Sequence, residues 1–428
     1  TYMFAIVDCN SFYCSCERVF QPKHQFEPVV VLSNNDGCII ARTDEAKELG
    51  IAMGAPFFQE KKRIEAAGVA VYSSNYNLYG DMSRRVMQIL KDEVGIEHVE
   101  VYSVDEAFLH LHHIPANMYE EFLASLRNKI GMWTGIQVSI GAAPTKVLSK
   151  VANRLAKKNK KATNCLMILS TDEQIQHALT KTPIEDLWGI GRRYAEKLRQ
   201  WNITTGADLQ SMPLSWASKH LGGVVGERLL RELKGEPCIP LQEPRTDKQM
   251  IATTRMFGHT VTELKDLEEA VATYTARAAE KLRRQHAVAG GISVFVIEKA
   301  PPVAGKFRHG PSRSSFYLMP VATAATNLLI KPALSMIRQL FKPGQSYKKA
   351  GVLLSHIVPE THVQTNLFGQ PAGKENKKLM EIIDNINFSQ RNDILQFATT
   401  GTSRNWKMQR GYKSRHYTTR WDELRDVF

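Results

Sequence analysis

Residues 99 to 111 read Val-Glu-Val-Tyr-Ser-Val-Asp-Glu-Ala-Phe-Leu-His-Leu, an apolar strand pattern that holds two adjacent carboxylates, Asp105 and Glu106. Successive side chains on a strand face opposite ways, so neighbouring acids serve one centre only where the chain turns between Val104 and Phe108. A hairpin tip provides that turn. An isolated Asp-Glu pair is ordinarily a solvated turn. The pair gains meaning only from the rest of the chain.

Upstream, Met3 to Val7 is an apolar strand that ends in Asp8, and a helix-compatible stretch, Ser11 to Phe20, follows at once. A strand that delivers an acid beside the backbone amides of a helix start makes a place for a cation and a phosphate together. Val29 to Leu32 reads as a short buried strand, Ser33 to Gly37 as a turn, and Thr43 to Leu49 as a helix closed by Gly50. Asp81 to Glu93 carries Met82, Val86, Ile89 and Leu90 at helical spacing and leads into the acidic hairpin. Helix Tyr119 to Ile130 and strand Gln137 to Gly141 follow. Residues 3 to 170 therefore alternate strands and helices as an α/β or α+β layer does, with one sheet expected to gather Asp8 and Asp105. The order of the strands in that sheet does not follow from the pattern.

From Thr182 to Gly235 the pattern turns helical, and Glu236 to Thr246 holds three prolines in eleven residues, the composition of a linker. A mixed pattern begins at Lys248: strand Met250 to Phe257, helix Glu263 to Gln285, strands Ile292 to Ile297 and Ser314 to Leu318, helix Ala325 to Phe341, and strand Ala350 to Ile357. That order is βαββαβ. Beyond Pro359 the periodicity weakens into a tail with some helix.

A chain of 428 residues suits about three domains, and 43% hydrophobic residues suffice for several cores. Lysine and arginine exceed aspartate and glutamate by 56 to 43, and a pI near 9.3 points to a polyanionic partner. Nucleic acid is the first candidate. An anionic membrane surface is the alternative, but no run approaches the roughly 18 apolar residues of a spanning helix. The six cysteines lack paired C-x-x-C spacing, and His110, His112 and His113 complete no zinc pattern with them, so reduced thiols in a cytoplasmic protein are expected.

Three carboxylates, Asp8, Asp105 and Glu106, can bridge two Mg²⁺ ions, the arrangement that clamps attacking and leaving oxygens in phosphoryl displacement. Here the chain acquires a resemblance. Asp8-Cys9-Asn10-Ser11-Phe12-Tyr13, Ser103-Val104-Asp105-Glu106-Ala107, and Lys146 with Lys150 and Lys157 resemble the motifs of the Y-family DNA polymerases, most nearly the catalytic-subunit type of bacterial DNA polymerase V, the UmuC type with its plasmid and mobile-element homologues. The resemblance implies an α+β multidomain right-hand polymerase. Its palm would span 3–11 and 78–170, small fingers 12–77, a helical thumb 171–238 and a linker 239–247. A βαββαβ little finger would span 248–357 and a tail 358–428.

The resemblance makes Asp8, Asp105 and Glu106 the catalytic metal-binding acids for two Mg²⁺ ions, with the Cys9 carbonyl as a further ligand. Tyr13 falls at the steric gate, where a fixed ring rejects a ribose 2′-hydroxyl by clash, with Phe12 beside it. The amides from Ser11 to Tyr13, together with Lys157, Lys47 and Arg42, would hold the triphosphate. Many members have Tyr-Glu-Ala-Arg where this chain has Asp44-Glu45-Ala46-Lys47, so the fingers contacts differ in detail. Cys38 and Ile40 would lie over the nascent base pair.

Leu187-Trp188-Gly189-Ile190-Gly191-Arg192-Arg193 resembles a helix-hairpin-helix, whose Gly189 and Gly191 turn would offer amides to a DNA phosphate while Arg192, Arg193 and Lys197 add charge. Leu221 to Leu230 is a candidate second hairpin. Lys248, Arg255, Arg308, Arg313 and Lys349 would track phosphates from the little finger. Gln364-Thr365-Asn366-Leu367-Phe368 resembles the sliding-clamp peptide, with Gln364, Leu367 and Phe368 as its anchors. Residues 401 to 420 hold six cations and no acids around Trp406, Tyr412 and Tyr417, a candidate nucleic-acid or partner surface.

The function implied is template-directed, error-prone translesion synthesis in the SOS response to DNA damage. Primer-template DNA, deoxynucleoside triphosphates, the sliding clamp, a UmuD′-type dimer and a RecA-type filament would be its partners. A non-catalytic, clamp-recruiting scaffold and a polymerase IV-type enzyme are the competing readings. Intact acids argue against the first, and the long tail against the second.

Overall fold

A computed structural model describes residues 2–243, 247–301, 310–364, 374–390, 394–402 and 404–424. The chain divides into two compact units. One comprises Thr1–Ser33, Gly37–Pro244 and Tyr412–Phe428, and the other Asn34–Asp36 with Arg245–Gly411.

The first unit opens with β1 (Phe4–Cys9), whose six residues are all buried, as an uninterrupted apolar run predicts for a central strand. The helix Phe12–Phe20 follows, then β2 (Val29–Leu32), β3 (Ile39–Arg42) and β4 (Ala70–Ser73). Next come the helix Tyr76–Val94, β5 (Val99–Val101), β6 (Glu106–His110), the helix Tyr119–Thr134, β7 (Val138–Ala143), the helix Lys146–Lys158 and β8 (Leu166–Ile168). Five of these strands form a sheet in the order β5-β6-β1-β7-β8, so β1 lies between two antiparallel neighbours.

The two faces of that sheet differ. Ala5, Val7, Ala107, Leu109, Val138 and Ile140 share a core with Leu78, Met82, Val86 and Leu90 of one helix and with Leu123, Leu126 and Ile130 of another. Alternation sends Ile6, Asp8, Glu106 and Phe108 to the opposite face. The helix Lys146–Lys158 covers that face at Gly141, where an added Cβ would stand 2.1 Å from the Asn153 amide nitrogen and 2.4 Å from the Ser149 carbonyl oxygen. Only glycine admits so close a helix. Lys150 and Lys157 on the inner side of that helix consequently meet Glu106 and Asp8.

β2, β3 and β4 form a separate sheet, β3-β2-β4, with its own core of Val30, Leu32, Ile39, Ile51, Phe57 and Ile64. From Asp172 to Leu233 the unit is helical, and Thr171 and Thr205 start two of these helices with capping boxes that satisfy first-turn amides.

The second unit carries β9 (Ile251–Val261), β10 (Ala287–Glu298), β11 (Ser312–Thr323) and β12 (Tyr347–Pro359) in the order β11-β10-β12-β9, with helices Leu264–Arg283 and Thr326–Leu340 on one face. The βαββαβ expectation holds. A tail helix, Lys374–Gln390, is tied to it by a two-pronged ion pair from Arg283 to Asp384, at 2.6 and 2.8 Å.

In residues 401 to 420, read as a nucleic-acid or partner surface, two of the three aromatic residues are core residues and not stacking platforms. Trp406 is buried in the core of the second unit, edge-on to Tyr274, and Tyr417 is buried in the first, where its ring stacks on Phe20 with centroids 4.8 Å apart. Apolar area large enough to stack a base is more favourably spent here on core packing. Tyr412 remains partly exposed, and its backbone exchanges two 3.0 Å hydrogen bonds with Ser73. Among the described residues no helix is long and apolar enough to cross a membrane.

Candidate active site

The ladder between β1 and β6 sets Asp8 directly opposite Glu106, and the Cys9 amide donates to the Asp105 carbonyl at 2.9 Å. Ser103 makes the turn: its hydroxyl donates to Asp105 Oδ1 at 2.6 Å and accepts from the Glu106 amide at 3.0 Å. The reversal falls at residues 102 to 105, ahead of Glu106, which begins β6. A hairpin therefore brings the adjacent acids to Asp8, but its turn precedes Glu106 and does not fall between Val104 and Phe108 as expected.

Lys157 forms an ion pair with Asp8, and Lys150 pairs with Glu106 at 2.8 Å while lying over the Tyr102 ring. Burial raises the Asp8 carboxyl to about 7; Lys157 opposes the rise, and Glu106 and Asp105 add to it. Lys146 is different. It is buried against Glu100, and donates to the Pro240 carbonyl at 2.9 Å, so it braces the scaffold and does not face the pocket.

An open pocket is lined by Asp8, Cys9, Ser11, Phe12, Tyr13, Arg42, Lys47, Asp105 and Lys157, together with Ile40, Ala41 and Met53. Ten of the residues expected at a nucleotide site, Ile40 among them, thus meet at one place, while Glu106 is not among the lining residues. Ser11 has φ 45°, a left-handed conformation uncommon outside glycine, and turns the chain from β1 into its helix. The first-turn amides of that helix lack intrahelical acceptors and remain available to an anion. Lys47 is held by Asp44 at 2.6 Å, and Arg42 donates to the Ile51 carbonyl.

Tyr13 is half-buried and stacks on Tyr79, with Phe12 tilted against it at 5.7 Å and Tyr76 edge-on at 6.0 Å. Behind Tyr79, its hydroxyl donates to the buried Glu17 carboxylate at 2.7 Å, and Ser414 donates to the same oxygen at 3.0 Å. Burial pushes Glu17 up to about 7, against the two hydrogen bonds. Sequence reading missed Tyr79, Glu17 and Ser414. The only signal was a glutamate at a helical position that burial would otherwise forbid.

Gly189 has φ +93° in the turn before the helix Arg192–Arg199, and Gly191 caps that helix. Arg192 and Arg193 are exposed; Arg192 pairs with Glu196 at 2.9 Å, and Lys197 lies over the Trp201 ring. In the second unit, strand register separates the cations that were expected to act together. Arg255 pairs with Ala350 and Arg313 with Val296, both buried against the helices, so the two arginines belong to the helix-side face; Arg313 is engaged by Glu298 at 2.8 Å. Lys349 opposes Ile297 on the other face, over the Phe295 ring. Lys248 is exposed ahead of β9. Arg308, Leu367 and Phe368 lie outside the described residues, and Gln364 is exposed.

Known proteins match this arrangement along its length. Residues 7–154 match the impB/mucB/samB family, residues 172–203 its helix-hairpin-helix motif, residues 248–367 its C-terminal domain, and residues 377–427 a domain of unknown function, DUF4113. The chain is 42% identical to protein UmuC of Salmonella typhimurium strain LT2 over 424 residues, 99% of both chains, and 38% identical to protein ImpB of Salmonella typhimurium over the same shares. It is 26% identical to DNA polymerase IV of Moorella thermoacetica, over 85% of this chain and 88% of that one. Among solved structures, a Y-family chimera of Dbh and Dpo4 superposes with a TM-score of 0.68 at 20% identity, covering 83% of this chain and 99% of the other. That likeness establishes the palm, fingers, thumb and little finger as the fold, and from the full-length identity to UmuC and ImpB it follows that the chain belongs to the impB/mucB/samB family.

Proposed function

We propose that this chain is a template-directed DNA polymerase that carries out error-prone translesion synthesis in the SOS response, using Asp8, Asp105 and Glu106 for two-metal nucleotidyl transfer. The observation that carries the reading is the register of β1 on β6, which sets Asp8 opposite Glu106, while Asp8 and Asp105 line one pocket with Lys157 and Tyr13. Three carboxylates are hard oxygen donors of the kind Mg²⁺ selects, and an Asp8 raised by burial and then by its acidic neighbours is a centre that a dication relieves. When bound there, Mg²⁺ ions would activate a primer hydroxyl and balance charge on the leaving pyrophosphate.

The protein's own groups supply the rest. Ser103 holds Asp105 in one orientation, and Lys150 does the same for Glu106. Lys157 pairs with Asp8 from a partly exposed side chain, within reach of a triphosphate oxygen. The helix start at Ser11 to Tyr13 offers amides to the same phosphates, while the Tyr13 ring blocks a 2′-hydroxyl. A fingers sheet of three short strands cannot close a deep pocket around the nascent pair, which favours tolerance of distorted templates. The domain boundaries given above, DNA contact by Gly189, Gly191, Arg192, Arg193 and Lys197, and the clamp, UmuD′-type and RecA-type partners belong to this reading.

Primer extension across a defined lesion by the purified chain, alone and with the candidate partners, tests it. Synthesis past the lesion that depends on Mg²⁺ and on Asp105 is expected. Tight primer-template binding with no synthesis under any combination would favour the scaffold.

A further inference from the structure

The far end of β6 from Glu106 carries a second cluster that the polymerase reaction does not use. His98 ends the short turn before β5, His110 ends β6, and His112 and His113 follow it. One ring nitrogen from each of His98, His110 and His112 lies within 4.8 Å of the others. The sequence conceals this group, because His98 reaches the other histidines only through the antiparallel pairing of β5 with β6.

We propose that His98, His110 and His112 form a binding site for a borderline transition-metal dication, Zn²⁺ foremost, separate from the carboxylate centre. Imidazole nitrogen suits Zn²⁺, whereas Mg²⁺ prefers oxygen, so the two ends of β6 select different metals. Tetrahedral Zn–N bonds of about 2.0–2.1 Å set ligand nitrogens roughly 3.3 Å apart, which leaves about 1.5 Å of closure for imidazole rotation. Two independent observations point to a ligand. His110 Nε2 is buried with no hydrogen-bond partner, an orphaned nitrogen of the kind that seldom survives in a folded protein without a role. The Glu97 carboxylate lies 3.3 Å from His98 Nε2, the outer carboxylate that commonly orients a metal-binding imidazole.

The other neighbours are compatible. His113 stacks nearly parallel on His98, with centroids 4.7 Å apart, and braces that ring, while His112 is exposed. Tyr2 and Phe4 stack on the His110 ring, with centroids 5.7 and 4.9 Å away. A bound ion would tie the start of β5 to the end of β6. It would staple the base of the hairpin whose tip presents Asp105 and Glu106, about 13 Å along the strand.

The test is equilibrium dialysis of Zn²⁺ alone against the full chain, stripped with chelator and then held in excess Mg²⁺ to occupy the carboxylates. One Zn²⁺ per chain is expected, with affinity at least about tenfold weaker in His98→Ala and in His112→Ala, and unchanged in Asp105→Asn. Melting temperature provides a second measure: Zn²⁺ should raise it in the parent and in Asp105→Asn, and leave it unmoved in the His98→Ala/His112→Ala double variant. Both histidines have solvent access, so the double variant should match the melting temperature of the metal-free parent. Undiminished Zn²⁺ binding by that variant, loss of binding on Asp105→Asn, or full displacement by Mg²⁺ would each overturn the proposal.

Discussion

The rings of Tyr13 and Tyr79 stack with centroids 4.6 Å apart and planes 20° from parallel, and the second ring is anchored through its hydroxyl to a buried glutamate. A ring clamped in this way is a rigid wall. Tyr13→Ala should therefore raise ribonucleotide insertion by about tenfold or more relative to deoxyribonucleotide insertion. Single-nucleotide incorporation with both sugars measures this, and unchanged discrimination would reduce Tyr13 to a packing residue.

Glu17 sits behind that wall with its carboxyl raised to about 7 from 4.5. The sign follows directly. Between these values the unfolded chain releases a proton that the folded chain keeps, so stability is full below about 4.5 and declines as pH rises through 7. Glu17→Gln keeps an acceptor for Tyr79 and Ser414 and removes the titration. Its stability should gain on the parent between those pH values, by on the order of 3 kcal/mol. Denaturant melts at pH 4.5 and 8 measure the difference; equal pH slopes for the two proteins would contradict it.

Asp8 is raised to about 7 by burial and by its two acidic neighbours, and a bound dication must displace its proton. At limiting Mg²⁺, primer extension should increase as pH rises through 7, and the rising limb should move to lower pH as Mg²⁺ increases. A limb that ignores Mg²⁺ would assign the titration elsewhere. Asp105→Ala should lower extension by about a hundredfold or more while leaving primer-template affinity nearly intact.

Lys146 and Glu100 form a buried ion pair, with Glu100 also accepting from the Gln242 amide at 2.8 Å. Removing one partner strands the other charge. Lys146→Ala should cost roughly 3–5 kcal/mol of stability, read as a shift in the denaturation midpoint. The exposed pair of Lys47 with Asp44 provides the contrast: Lys47→Ala should change stability by less than about 1 kcal/mol.

Leu367 and Phe368 are the apolar anchors of the clamp peptide. Replacing both with alanine should weaken clamp binding by about tenfold or more without affecting distributive extension. Surface binding to immobilised clamp separates the two effects.

Local pattern made much of this protein legible. The run from Met3 to Asp8, the helical stripe from Met82 to Leu90 and the βαββαβ order each rest on periodicities within a dozen residues, and each element lies where that period puts it, although β10 starts well before Ile292 and β11 runs well past Leu318. The acidic hairpin was equally accessible, because an Asp-Glu pair amid strand residues needs a turn, and Ser103 makes it. Tyr13 and Lys157 were identified only through the family resemblance.

What the sequence could not determine is what lies across from what. Pairing Asp8 with Glu106, placing Arg255 and Arg313 on the helix-side face while Lys349 faces the other way, and bringing His98 to His110 all depend on strand register. A slip of one residue would exchange the faces. The aromatic residues of the tail teach the same lesson: Trp406 and Tyr417 look like stacking platforms in sequence and are core residues in the fold. The physical reason is that composition and period report on neighbours in the chain. Register, burial and the meeting of distant side chains are settled only when the apolar faces of whole elements compete for one core.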